Sequence, residues 1–181
     1  MMKCCLLAAT CSFFLPMALR AQALPSATRG GIVQVGGGIT SANPDYTQKR
    51  ISGVTAYATF DFGRHIGVEG DIHYVSILTP FDFGENTYEV GPRYVLRFQH
   101  LEPYAKVLFG IGSGQFQQGV YDGNVHTSKY FEYGAGAGVD LRISHNLNIR
   151  LIDVELQKWP SFPPNSLTPS LITAGVAYRI R

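Results

Sequence analysis

From residue 31 onward, apolar and polar residues alternate with a period of two, the spacing of a strand whose two faces meet different surroundings. Eight segments carry the pattern, at about 31–40, 51–62, 66–77, 87–98, 103–114, 129–143, 147–157 and 169–180. The connections between them alternate in length. Gly63-Arg64-His65, the Gln99-to-Glu102 turn and Ser144-His145-Asn146 are short, whereas 41–50, 78–86, 115–128 and 158–168 are long and carry Pro, Gly, Asn and Asp. Both ends of the patterned region fall on the short-turn side.

The two faces differ sharply. In the third segment Ile66, Val68, Ile72 and Tyr74 oppose Gly67, Glu69, Asp71 and His73. In the sixth, Phe131, Tyr133, Ala135, Ala137, Val139 and Leu141 oppose Glu132, Gly134, Gly136, Gly138, Asp140 and Arg142. The seventh breaks step, because Arg150 and Asp153 are an odd number apart. A β-bulge near Leu151-Ile152 would return Asp153 and Glu155 to the charged face.

Alternation alone leaves open which face is outside, since a soluble lipocalin-like lipid binder alternates too. Three features favour an inside-out arrangement. The charged face is crowded with glycine, among them Gly36, Gly38, Gly67, Gly91, Gly110, Gly112, Gly134, Gly136, Gly138 and Gly175. Glycine weakens a strand, and a narrow barrel lumen gives a reason to tolerate it beside long side chains. Aromatics of the apolar face gather near strand ends: Phe60, Phe62, Phe98 and Tyr178 on one side, Tyr74, Tyr88, Phe131, Tyr133 and Trp159 on the other, with Phe109 mid-strand as the departure. Such girdles flank the apolar band of a membrane barrel. Finally, the charged face mixes signs, as enclosed groups that pair would require. Arg93, Arg97, Lys106, Arg142, Arg150 and Arg179 would meet Asp61, Glu69, Asp71, Glu89, Glu132, Asp140 and, given the bulge, Asp153 and Glu155. The segments are long enough to cross a bilayer, which takes about 9–11 tilted residues. The pattern predicts an all-β, eight-stranded antiparallel up-and-down transmembrane β-barrel with a closed polar lumen.

The N-terminal region adds a location. Lys3, the apolar stretch Leu6 to Leu19 and Ala21-Gln22-Ala23 read as a secretory signal peptide over 1–23, cleaved after Ala23. The barrel domain then occupies 24–181. Cys4, Cys5 and Cys11 all lie in the leader, so the mature chain is expected to lack disulfides, thiol chemistry and cysteine-bound metal. Of the fifteen Lys and Arg, Lys3 and Arg20 go with the leader, leaving thirteen against thirteen acidic residues. No polycationic surface argues for nucleic acid.

The strand pattern, with phrases such as Glu102-Pro103-Tyr104-Ala105-Lys106-Val107 and Gly134-Ala135-Gly136-Ala137-Gly138-Val139-Asp140-Leu141-Arg142, resembles the small outer-membrane β-barrel family of Gram-negative bacteria (the outer membrane protein beta-barrel domain, with the OmpA transmembrane domain and OmpX). The resemblance covers the mature chain. It implies an integral, multi-pass outer-membrane protein in contact with lipid and lipopolysaccharide, inserted by the barrel-assembly machinery. Family members usually end in an aromatic residue read by that machinery; here Tyr178 has the matching parity and the chain ends in Arg181. No periplasmic peptidoglycan-binding domain is expected.

Chemistry is sparse. Some barrels of this kind modify lipid A, and the resemblance points to a His-x-Ser pair as in deacylases. His126-Thr127-Ser128 has that spacing, and Glu132 shares its parity and could orient the histidine. The pair lies beside a long loop, on the lumen parity, and Lys129 follows where the deacylase pattern has Asn. His73 is expected to bond a lumen carboxylate, and His65, His100 and His145 to be solvated in turns. Asp45, Asp82, Glu85 and Asp122 are loop carboxylates without a calcium-loop pattern. Gly36-Gly37-Gly38 opens no phosphate-binding motif. No catalytic group, cofactor or metal is therefore expected. The expected role is non-enzymatic, in envelope architecture or in binding and adhesion through the long loops to an extracellular ligand. The aromatic loop residues Tyr46, Phe81, Phe83, Phe116, Tyr121 and Phe162 either anchor that ligand or, more simply, pack over the barrel mouth. A narrow ion channel is a further reading.

Overall fold

The computed structural model describes residues 31–45, 50–75, 83–117, 125–163 and 165–180. The leader with its Ala23 site, and Tyr46, Phe81 and Tyr121, lie outside them. Eight strands follow one another: β1 Ile32–Asn43, β2 Ile51–Asp61, β3 Ile66–Val75, β4 Phe83–Val95, β5 Leu101–Gln117, β6 Val125–Arg142, β7 Leu147–Lys158 and β8 Ser170–Ile180. Each pairs antiparallel with the next, and β8 closes on β1 through pairs from Val33↔Ile180 to Asn43↔Ser170. Closure leaves no free edge, which a bilayer requires because it offers no water to unpaired peptide groups.

All eight predicted strands are present. The differences lie on the long-loop side. β4 begins at Phe83 rather than 87, so Glu85 is a buried strand residue and not a loop carboxylate. β5 and β6 run on together until Gln117 faces Val125. Gln115, Phe116 and Gln117 read locally as loop, yet cross-strand pairing carries them as sheet, the usual dominance of context over β-propensity. The short turns close tightly, with Gly63 N donating to Ile66 O at 3.2 Å and Phe98 N to Leu101 O at 2.9 Å.

The bulge sits where the broken alternation placed it. Val139 pairs with Ile152 and Asp140 with Arg150, which leaves Leu151 as the additional residue. Leu151 and Ile152 both face outward, and Arg150 and Asp153 both face the lumen. One consequence corrects the girdle. Counting by two from Asp153 through Glu155 and Gln157 turns Trp159 inward, and Trp159 is fully buried. The other girdle members Phe60, Phe62, Phe98, Tyr178, Tyr74, Tyr88, Phe131 and Tyr133 are exposed on the outer wall, as is Phe109. The Tyr74 and Tyr88 hydroxyls bond each other at 2.6 Å. Between the girdles the wall is aliphatic, with a hollow of about 530 Å³ where Ala56, Ala58 and Gly70 are small.

The inward glycines are explained by what fills the space beside them. A Cβ on Gly36 would meet the Tyr57 ring, one on Gly138 the Tyr104 ring, one on Gly136 the Lys106 stem, and one on Gly112 the Trp159 indole. The lumen is filled, and each large side chain lies across a strand that yields its own. Gly112→Val is expected to evict the indole at a cost of about 1–3 kcal/mol. Trp159 is the only tryptophan in the chain, so a red shift of its emission in the folded barrel checks this.

Candidate functional site

The charged lumen is built in layers. At the short-turn mouth Arg97 Nη2 pairs with Asp61 at 2.5 Å and also donates from Nη1 to the Arg64 carbonyl. Glu102 receives Arg142 at 2.6 Å and Arg179 at 3.1 Å. Just above, Asn148 Nδ2 donates to Gln34 Oε1 at 2.7 Å.

The central layer ties five strands across the lumen. Glu69 of β3 forms an ion pair with Arg93 of β4 at 3.0 Å and accepts a hydrogen bond from Arg150 of β7 at 2.9 Å. Asp140 of β6 accepts the same two guanidiniums at 2.7 and 3.2 Å. Lys106 of β5 reaches Asp71 at 2.6 Å, Asp153 at 2.7 Å, Glu155 at 3.1 Å and Glu69 at 3.2 Å. The rings of Tyr57 and Tyr104 complete the layer. The Arg150 guanidinium lies 3.7 Å from the Tyr57 centroid, and that of Arg93 lies 4.0 Å from Tyr104. Cation–π contacts of desolvated groups are among the stronger of their kind.

The third layer is acidic. Glu85, Glu89 and Glu132 are buried; the side-chain oxygens of Glu85 and Glu132 have no hydrogen-bond partner among the described residues, and the Glu89 carboxyl lies against that of Glu155. Thus Glu89 and Glu132 share the lumen with the arginines without pairing to them. His73 bonds the Thr55 hydroxyl through Nδ1 at 2.9 Å, whereas its Nε2 stands 3.9 Å from both Glu89 and Glu155. The expected carboxylate hydrogen bond of His73 is therefore replaced by one to threonine, its cross-strand partner on β2.

An apolar lid covers these layers on the long-loop side. Trp159, Phe162 and Leu167 cluster, with Tyr130 against them, and Trp159 Nε1 donates to Gln157. A second cluster joins Ala42, Ile51, Val75 and Leu171. Phe162 is thus a packing residue of the lid. The backbones of Phe83 and Phe116 pair with each other across β4 and β5.

The deacylase-like trio is not assembled. Ser128 is exposed on the β5–β6 extension opposite Gly114, whereas Glu132 is buried opposite Gly110. Four residues of strand separate them, about 13 Å at the ordinary rise, and His126 lies two residues further from Glu132. Among the turn histidines, His65 is half-buried, with Nδ1 3.0 Å from the Val95 carbonyl and its ring stacked on Tyr94; His100 and His145 are exposed.

Among the lumen residues that the sequence pattern does not single out are Tyr57, Glu85, Glu102 and Tyr104. Parity held the signal in each case. Tyr57 is in step with Asp61, Glu85 with Glu89, and Glu102 and Tyr104 with Lys106.

No curated protein sequence matches the chain. Its fold matches those of solved outer-membrane proteins, three of which illustrate the low sequence identity. Ail, the attachment invasion locus protein of Yersinia pestis, is 17% identical at a TM-score of 0.60, the match covering 84% of this chain and 100% of Ail. Neisserial surface protein A is 13% identical at 0.63, covering 83% and 97%. OprG of Pseudomonas aeruginosa is 12% identical at 0.60, covering 84% and 97%. The profile of the outer membrane protein beta-barrel domain matches residues 7–179. With eight closed strands, an apolar outer wall between aromatic girdles and a charged, filled interior, the chain belongs to the outer membrane protein beta-barrel domain family and is an integral protein of the Gram-negative outer membrane.

Proposed function

We propose that this protein is non-enzymatic and uses the barrel as a rigid mount for a binding surface at its long-loop end. The observation that carries this reading is the filled lumen. A solute would have to displace the apolar lid and then break ion pairs that cross from β3 to β7, so the interior serves as a core. Binding residues sit on loops held by such scaffolds. Ail has been crystallised with the heparin analogue sucrose octasulfate, which makes a polyanionic glycan the first ligand class to test. Arg50, Lys129 and Lys158 are exposed on the long-loop side and supply the matching charge.

The test uses the detergent-folded barrel on a heparin-coated surface. Wild type is expected to be retained in a salt-sensitive way, and the R50Q/K129Q/K158Q triple variant to be retained at least roughly tenfold less, since most of the attraction is electrostatic. Equal retention of the two, or none by wild type, would overturn the glycan-binding reading and leave an envelope-structural role. The same preparation is expected to give no ohmic steps in a planar bilayer; steady conductance would revive the channel reading. Lipid A from cells expressing the barrel is expected to keep its mass, and a deacylated species lost in Ser128→Ala would establish an enzyme instead.

A further inference from the structure

Above the mouth pairs, eight buried carboxylates among the described residues face three buried cations, Arg93, Lys106 and Arg150. The excess lies towards the lid, around His73. Burying that much uncompensated charge is expensive, so it must be neutralised by bound protons or offset by a bound cation.

We propose that His73, Glu89, Glu155 and the unbonded oxygen of Asp71 form a binding site for one divalent transition-metal ion. His73 is oriented for it. The Thr55 hydroxyl holds Nδ1 at 2.9 Å, and Nε2 is buried, makes no hydrogen bond and lies 3.9 Å from both Glu89 Oε2 and Glu155 Oε2. That separation is too long for a hydrogen bond. It is about half an ångström longer than the ~3.4 Å between two ligand atoms of a tetrahedral site with bonds of about 2.0–2.2 Å, a gap that small side-chain rotations close. Asp71 contributes Oδ1, which has no partner, while its Oδ2 holds Lys106 at 2.6 Å. Ligand atoms of Asp71, His73 and Glu155 all lie within 4.8 Å of one another. Gln157 Nε2 bonds Glu155 Oε1 at 2.7 Å, so the second carboxylate is supported from behind, as ligands of metal sites commonly are.

Lys106 is the competitor, with Nζ 3.1 Å from Glu155 Oε2. It can yield that contact, because Asp153 holds the same ammonium at 2.7 Å and Asp71 at 2.6 Å. One imidazole with several carboxylates suits a zinc-like, manganese-like or ferrous ion better than calcium, which takes oxygen ligands alone.

The site reports on itself through Trp159, whose indole bonds Gln157 and through it Glu155. The experiment folds the full chain into detergent with zinc chloride, removes free metal by gel filtration, and measures zinc per chain by elemental analysis. Folding is verified by heat-modifiable mobility in SDS. Wild type is expected to retain about one equivalent, cobalt(II) to quench Trp159 emission, and His73→Gln and Glu89→Gln to weaken retention by about 10- to 100-fold or more while still folding. His65→Gln, in a short turn, is expected to retain metal like wild type. If folded wild type retains no zinc or cobalt, protons carry the excess charge and the proposal fails. If His73→Gln retains as much as wild type, the metal sits elsewhere and the proposal fails equally. Neither result depends on what the loops bind.

Discussion

Replacing Arg150 with methionine is expected to destabilise the folded barrel by about 3–5 kcal/mol, the cost of removing one partner from a buried ionic network. Arg150 bonds Glu69, Asp140 and Asp153 and covers the Tyr57 ring. Glu69 and Asp140 keep Arg93, and Asp153 keeps Lys106, but a lumen already rich in carboxylates loses a full positive charge. Reversible urea unfolding into and out of detergent or short-chain vesicles, followed by heat-modifiable mobility, measures the effect. Adding Asp153→Asn to Arg150→Met restores the charge balance and is expected to recover a large part of the loss. Destabilisation below about 1 kcal/mol would mean that the pairs are effectively solvated and weak, like those on a surface.

Much of this architecture is legible because a strand's period is two and one face of a membrane barrel meets hydrocarbon. That periodicity located all eight strands and, through the odd spacing of Arg150 and Asp153, the bulge. It assigns a residue to a face and says nothing of its partner there. Which cation meets which carboxylate depends on the stagger between strands that closure imposes. The pairing of Glu102 with Arg142 and Arg179, and the isolation of Glu89 and Glu132 from every arginine, are therefore legible only in three dimensions. Trp159 shows the second kind of miss. Its type suits an interfacial belt, and only carrying the bulge forward two residues at a time turns it inward. Tyr57 and Tyr104 were passed over for a related reason, since an aromatic on a polar face contradicts simple binary patterning until guanidiniums are placed over its ring. The inward glycines were legible as a need for space, and the side chains that use the space were not.

An arginine at Val107 is expected to destabilise the barrel in lipid by about 2–4 kcal/mol, whereas an arginine at Phe98 should cost only about 0–1 kcal/mol. Val107 faces outward near the middle of β5, opposite Ala135, well inside the aliphatic band. Phe98 lies at the short-turn rim beside Arg97, where a long cationic side chain can reach the headgroups. The ordering of the two costs tests orientation directly. Where water bathes the outer face, removing an exposed valine and adding a charge changes stability by only a few tenths of a kcal/mol, and rim and mid-wall positions behave alike. A depth-dependent cost needs a low-dielectric slab around the barrel, thickest at Val107. Unfolding from lipid vesicles shows that dependence or excludes it, and shortening the acyl chains should lower the Val107→Arg cost before it alters that of Phe98→Arg, because a thinner slab lets the mid-wall charge reach water first.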